Sequence, residues 1–114
     1  FFAFLERLHF PALSYDDYSN YFTGTVNVGL FVTMNVTREM YEQAYSRTFE
    51  TYAKEFGFLN GETALYPVCN TLQVSDYSKF SMGGFSEMEK QQSRQVCFPV
   101  DLKKAFDLGA QLSR

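Results

Sequence analysis

One pattern limits the possible folds more than any other. An apolar run, Val28–Met34, is followed at once by a capping threonine, a long amphipathic stretch and a second apolar run. Thr25–Met34 reads TVNVGLFVTM, and its second half is almost wholly apolar, as expected of a strand covered on both faces. Thr37 is placed to cap a helix running to about Phe56. Tyr41, Ala44, Tyr45, Thr48, Tyr52 and Phe56 recur at steps of three and four and predict its buried stripe. Glu39, Glu42, Arg47, Glu50 and Lys54 fall on the wet side. Gly57 is the expected stop and Asn60-Gly61 a turn. A second strand is expected within Thr63–Val74. Strand, long helix, strand is a βαβ unit, whose two strands run parallel. Pro67 cannot donate to a ladder, which sets the second strand at or near a sheet edge.

The flanking segments predict more helix. Phe1, Phe2, Phe4, Leu5 and Leu8 mark a first helix ending near His9, before Pro11. No capping residue precedes it, so the chain reads as the C-terminal part of a larger fold. Ser75–Gly84 is a loop. Ser86 with Glu89 fits a capping box for a short helix to about Gln95. Pro99 suits the first turn of a last helix, with Leu102, Ala105, Phe106, Gly109 and Leu112 as its inner stripe. Two strands alone make a poor sheet. The first strand's free edge is therefore expected to pair with upstream strands or another chain, and the isolated chain to be marginal or oligomeric.

Composition narrows the function classes. At 114 residues there is room for one domain, and 46% hydrophobic residues, including 13 Phe and 8 Tyr, suit a packed core. A net charge of -3 with scattered basic residues argues against a nucleic-acid partner. Cys69 and Cys97 lack metal-ligand spacing, and His9 is the sole histidine, so a zinc site is not expected. No apolar run approaches the roughly 20 residues that span a bilayer. A reducing cytoplasm is the expected setting.

In an open α/β sheet, ligands sit at the carboxyl ends of the strands. For the first strand that end is Thr33, Met34, Asn35, Val36 and Thr37. Its N–H groups and short polar side chains suit a planar heterocycle or an anion; alternatively Thr37 only caps the helix and Asn35 only makes the turn. After the second strand come Asn70, Thr71 and Gln73, then Asp76, Tyr77 and Phe80, aromatics that either stack on a ring or pack a loop down. Cys97, two residues before Pro99, would have its thiol activated if a helix began there. Glu6, Glu39, Asp101 and Asp107 read as solvated or dipole-complementing charges. No nucleophile–base pair or glycine-rich phosphate loop is present.

The stretches FFAFLERLHFPALSY, GLFVTMNV, YPVCNTLQVSDYSKF and QVCFPVDLKKAFDLGAQL, in this order around the aromatic helix, resemble flavodoxin-fold NAD(P)H-dependent FMN reductases of the branch related to iron–sulfur flavoproteins. The resemblance covers essentially the whole chain but only the C-terminal portion of such a protein. It implies a three-layer α/β sandwich with a five-stranded parallel sheet in the order 2-1-3-4-5, two strands and about four helices of which fall within this chain. The strand ending at Met34 would be the fourth. It implies FMN at the strand carboxyl ends, with NAD(P)H as hydride donor. The phosphate loop and the first ring-binding loop would lie upstream of Phe1, and only Thr33, Met34, Asn35 and Val36 would touch the flavin. Pairing into a homodimer or higher oligomer across that site, through Tyr77 and Phe80, is also implied. The alternative from a different class is a non-catalytic α/β interaction module completed by a partner chain.

Overall fold

The computed structural model describes residues 1–114. At its centre two strands, β1 (Val26–Thr33) and β2 (Asn60–Val68), pair in parallel, with Val28 opposite Thr63 and Thr33 opposite Val68. Alternation sorts β1 into two faces. Val28 and Leu30 turn toward a core of Leu5, Phe56 and Leu59, closed by Leu8, Phe22 and Phe58. Leu5 and Leu8 come from a first helix, Phe2–His9. On the other face, Gly29, Phe31 and Thr33 lie under the C-terminal helix, Glu87–Leu112, whose Leu112 reaches Gly29. The result is a mixed α/β arrangement of several helices around a parallel sheet of two strands. β2 starts earlier and stops earlier than expected, and Asn70–Val74 is loop.

The central helix begins where Thr37 Oγ1 accepts from the Met40 N–H at 3.3 Å. It runs through Arg38–Met40, widens into a π turn at Tyr41–Tyr45, and continues as α-helix over Ser46–Glu55. The Ser46 N–H bonds to the Tyr41 carbonyl, five residues back. One extra residue in a turn rotates everything after it by about 100°. The inward set is therefore Tyr41, Phe49, Tyr52, Ala53 and Phe56, while Ala44, Tyr45 and Thr48 of the expected stripe face solvent. Tyr41 and Phe49 stack with centroids 6.2 Å apart, so the widened turn brings aromatics from both halves into register.

The helix stop also differs from expectation. A 3-10 turn, Phe56–Leu59, carries the chain past Gly57, and the left-handed residue is Asn60 at φ 59°. Asparagine tolerates that conformation because its short side chain bonds locally. Here the Asn60 carboxamide donates to the Phe22 and Gly24 carbonyls at 2.9 and 3.0 Å, latching the approach to β1.

Beyond β2 one long helix replaces the two expected. Ser86 caps it, accepting from the Glu89 N–H at 3.3 Å, but Pro99 lies in its interior and does not open a new helix. An interior proline costs about 3 kcal/mol. Packing on both sides of Pro99 outweighs that: Lys90 and Ser93 before it and Phe98, Asp101, Ala105, Leu108 and Leu112 around and after it all turn inward. Of the expected inner stripe, Ala105 and Leu112 do turn inward, whereas Leu102 and Phe106 are 55% and 77% exposed and Gly109 is exposed as well.

The molecule is open for its size. Its radius of gyration is 17.6 Å, against roughly 13 Å for a compact domain of this length. No helix is long and apolar enough to cross a membrane.

Candidate functional site

The carboxyl ends of β1 and β2 are tied into one rim. The Met34 N–H donates to the Val68 carbonyl at 3.0 Å, the last rung of the ladder. Past it the two loops lock across each other. The Asn70 N–H donates to the Val36 carbonyl at 2.8 Å, and both the N–H and the hydroxyl of Thr71 donate to the Met34 carbonyl at 3.0 Å. Asn70 adopts a left-handed conformation, φ 54°, which turns the chain sharply after β2. Gln73 closes the second loop through its Nε2 to Thr71 Oγ1 at 3.0 Å. Its N–H donates to the Tyr77 hydroxyl at 3.1 Å, and the Tyr77 ring is buried.

Lys90 fixes this rim to the C-terminal helix. The side chain is 1% exposed, and its Nζ donates to the Asn35 carbonyl and, at 2.9 Å, to Asn70 Oδ1. The ring of Phe85 stands 5.1 Å from the ammonium, a cation–π contact. No salt bridge reaches Nζ. Burial pushes its pKa down, and Glu89 works weakly in the opposite direction.

Between the rim and the C-terminal helix lie two adjoining clefts. The smaller, about 290 Å3, is lined by Thr33, Asn70, Thr71, Gln73, Arg94 and Phe98 among others. The larger, about 620 Å3, runs from Arg38 past Tyr66 and Cys69 to Cys97 and Lys104. Cys69, Asn70, Ser93 and Asp101 border both. The Tyr66 hydroxyl donates to Asp101 Oδ1 at 2.6 Å, and burial followed by that bond pushes the phenol up to about 12. Burial also raises the Cys69 thiol.

The Tyr66 shift has a definite sign. A phenol whose folded pKa exceeds its unfolded value near 10 contributes stability that is complete below about pH 10 and lost as pH rises through 12. Tyr66→Phe is therefore expected to flatten the fall in stability between those limits. Urea unfolding at about pH 9 and about pH 11.5 checks it; an unchanged difference between the two would show that Tyr66 does not supply the slope.

The expected site residues fall as follows. Thr33 borders the smaller cleft, while Met34, Asn35 and Val36 form the rim above it, their carbonyls taken up by Thr71, Lys90 and Asn70. Phe80 is 55% exposed, whereas Tyr77 is the packing aromatic. Asp101 is not a solvated charge but the half-buried acceptor for Tyr66. Cys97 lies mid-helix and exposed, so the helix start that would have activated it is absent. His9 ends the first helix, its Nδ1 3.7 Å from Glu55 and its ring 4.4 Å from Phe58. Lys90 and Tyr66 were not marked by the sequence, because neither breaks a periodicity or completes a motif. No three His, Cys, Asp or Glu side chains come together as a metal site.

No protein-family model matches the chain, and no curated protein or solved structure shows significant similarity to it.

Proposed function

We propose that the chain supplies one wall of a flavin site in an FMN-dependent oxidoreductase. The reading rests on the rim itself: two parallel strand ends, locked by four backbone-directed hydrogen bonds and a buried lysine, beside an open cleft. Such a rim holds its polar groups in place before a ligand arrives, which is what orientation of a redox cofactor requires. Of the rim's polar side chains, Thr33 borders the smaller cleft and Asn35 stands on the rim above it, and groups of this kind pair with the polar edge of an isoalloxazine ring. The Thr33 hydroxyl and Asn35 carboxamide are short and neutral, and the Asn35 carboxamide takes no part in the bonds that fix its loop. Nothing in the 114 residues resembles a phosphate cradle. A bound flavin would supply hydride transfer between NAD(P)H and an acceptor; Thr33, Met34, Asn35 and Val36 would orient the ring edge and keep water from it. Two free thiols suit a reducing compartment such as the cytoplasm.

The test is a fluorescence titration of the chain with lumiflavin and with FMN. Both are expected to bind weakly and alike, because no glycine-rich loop of backbone N–H groups cradles the phosphate. Asn35→Ala should weaken both about tenfold, the worth of one hydrogen bond of about 1.4 kcal/mol. Absence of quenching, or quenching indifferent to Asn35, would remove the flavin reading.

A second reading, an interaction module completed by a partner chain, is favoured by the unpaired outer edge of β1.

A further inference from the structure

The two outer edges of the sheet are unlike. The Met34 N–H bonded to the Val68 carbonyl fixes the parity of the ladder. Even-numbered residues of β1 and β2 turn their backbone groups toward each other, and odd-numbered ones turn outward. Pro67 thus stands on the outer edge of β2, where it offers no N–H, and its carbonyl is covered by the Arg38 guanidinium at 2.9 Å. Proline and a cation are the usual guards of a strand edge. The outer edge of β1, formed by Gly29, Phe31 and Thr33, carries neither, and Val26–Thr33 contains no charged residue.

The C-terminal helix treats the two edges differently as well. Lys104 sits over the Tyr66 ring of β2 at 5.8 Å. Leu102 and Phe106 lie on the opposite side of the helix, about 160° around it from Lys104, on the flank away from Tyr66 of β2. They are 55% and 77% exposed, and Phe31 of β1 is 43% exposed.

We propose that a second copy of the chain fills this edge, β1 pairing antiparallel with β1 about a two-fold axis. The second copy supplies an uncharged strand with no like charges to repel. It also places both C-terminal helices on the same face of a four-stranded sheet. Each helix contacts both of its own strands. The two helices therefore come about two strand spacings apart, roughly 10 Å, the distance at which helices pack. Leu102 and Phe106 of the two copies then meet across the seam. The surface has the area to spare: 8167 Å2 is accessible, against roughly 6,400 Å2 for a compact protein of 13 kDa, and a stable interface takes about 800 Å2 per partner. Because β2 is guarded, pairing stops at two. This names the partner for the second reading above, and it competes for the same edge with the upstream strand that the flavodoxin resemblance would set beside β1.

Sedimentation at tens of micromolar, with amide exchange at Gly29, Phe31 and Thr33, tests it. A dimer is expected, with protection at those three amides rising with concentration. Phe106→Asp, at a position exposed in one copy, should keep the circular dichroism and raise the dimer dissociation constant at least about tenfold. Freeing the other edge with Arg38→Ala and Pro67→Val should yield larger species. A monomer overturns the proposal, including one whose Gly29 and Phe31 amides are protected by a strand of a longer polypeptide. So does a dimer indifferent to Phe106→Asp, and absence of larger species overturns closure by β2.

Discussion

Replacing Lys90 by methionine is expected to lower stability by roughly 2–4 kcal/mol, since it removes charged hydrogen bonds to two buried-facing acceptors. Methionine keeps the stem and its packing but leaves the Asn35 carbonyl and Asn70 Oδ1 without their donor. For a domain of this size that corresponds to a drop in melting temperature on the order of 10–20 °C. The pH dependence gives a second readout. The pKa of Lys90 is lowered in the fold, so below the unfolded value of about 10.4 the unfolded chain binds the proton more readily. The wild-type protein should gain stability as pH rises through the window between its lowered pKa and 10.4, and the methionine variant should lack that gain. A melting temperature unchanged by Lys90→Met would show that the rim holds without its clamp.

The start of the sheet is the second sensitive point. A Cβ on Gly61 would lie 2.2 Å from the Val26 carbonyl oxygen and 2.5 Å from its carbon, both backbone atoms. Gly61→Ala must push β1 and β2 apart where Asn27 Oδ1 receives the Glu62 N–H at 2.9 Å. The expected cost is about 3 kcal/mol, at the upper end for overpacking, because no flexible side chain is available to yield. Gly57→Ala is the matched control. Nothing lies within 4 Å of its added methyl, and its φ is not positive, so a gain of about 0.5 kcal/mol is expected from the less flexible unfolded chain. Denaturant midpoints of the two variants moving in the same direction would refute the close-approach explanation.

The legible part of the fold was the part written in local chemistry. β1 followed from an unbroken apolar run, the helix starts at Thr37 and Ser86 from side chains that do accept the expected N–H groups, and the parallel pairing from the length of helix between two strands. What failed was phase. A periodicity drawn from Tyr41 through Tyr52 assumes a constant 3.6-residue turn, and the π turn at Tyr41–Tyr45 breaks it. Pro99 was read as a start because its local preference is clear, yet contacts made on both sides of it by residues far apart in sequence carry the helix through. The site divides the same way. Thr33–Val36 could be placed at a strand end from pattern alone, whereas Lys90 could not. A lysine on a polar helix becomes a buried clamp only after two loops from elsewhere close over it.

Asn27 touches both ends of the architecture, receiving the Glu62 N–H and donating its Nδ2 to the Leu112 carbonyl at 2.7 Å, 85 residues away in sequence. This sets an order of assembly. A parallel ladder cannot nucleate as a hairpin, so the central helix must first shorten the path between β1 and β2. The C-terminal helix, whose closing contact spans the longest loop, then docks last. Substitutions at Leu112 should therefore speed unfolding and leave the refolding rate untouched, making this helix the element that sets how long the protein stays folded rather than how fast it folds.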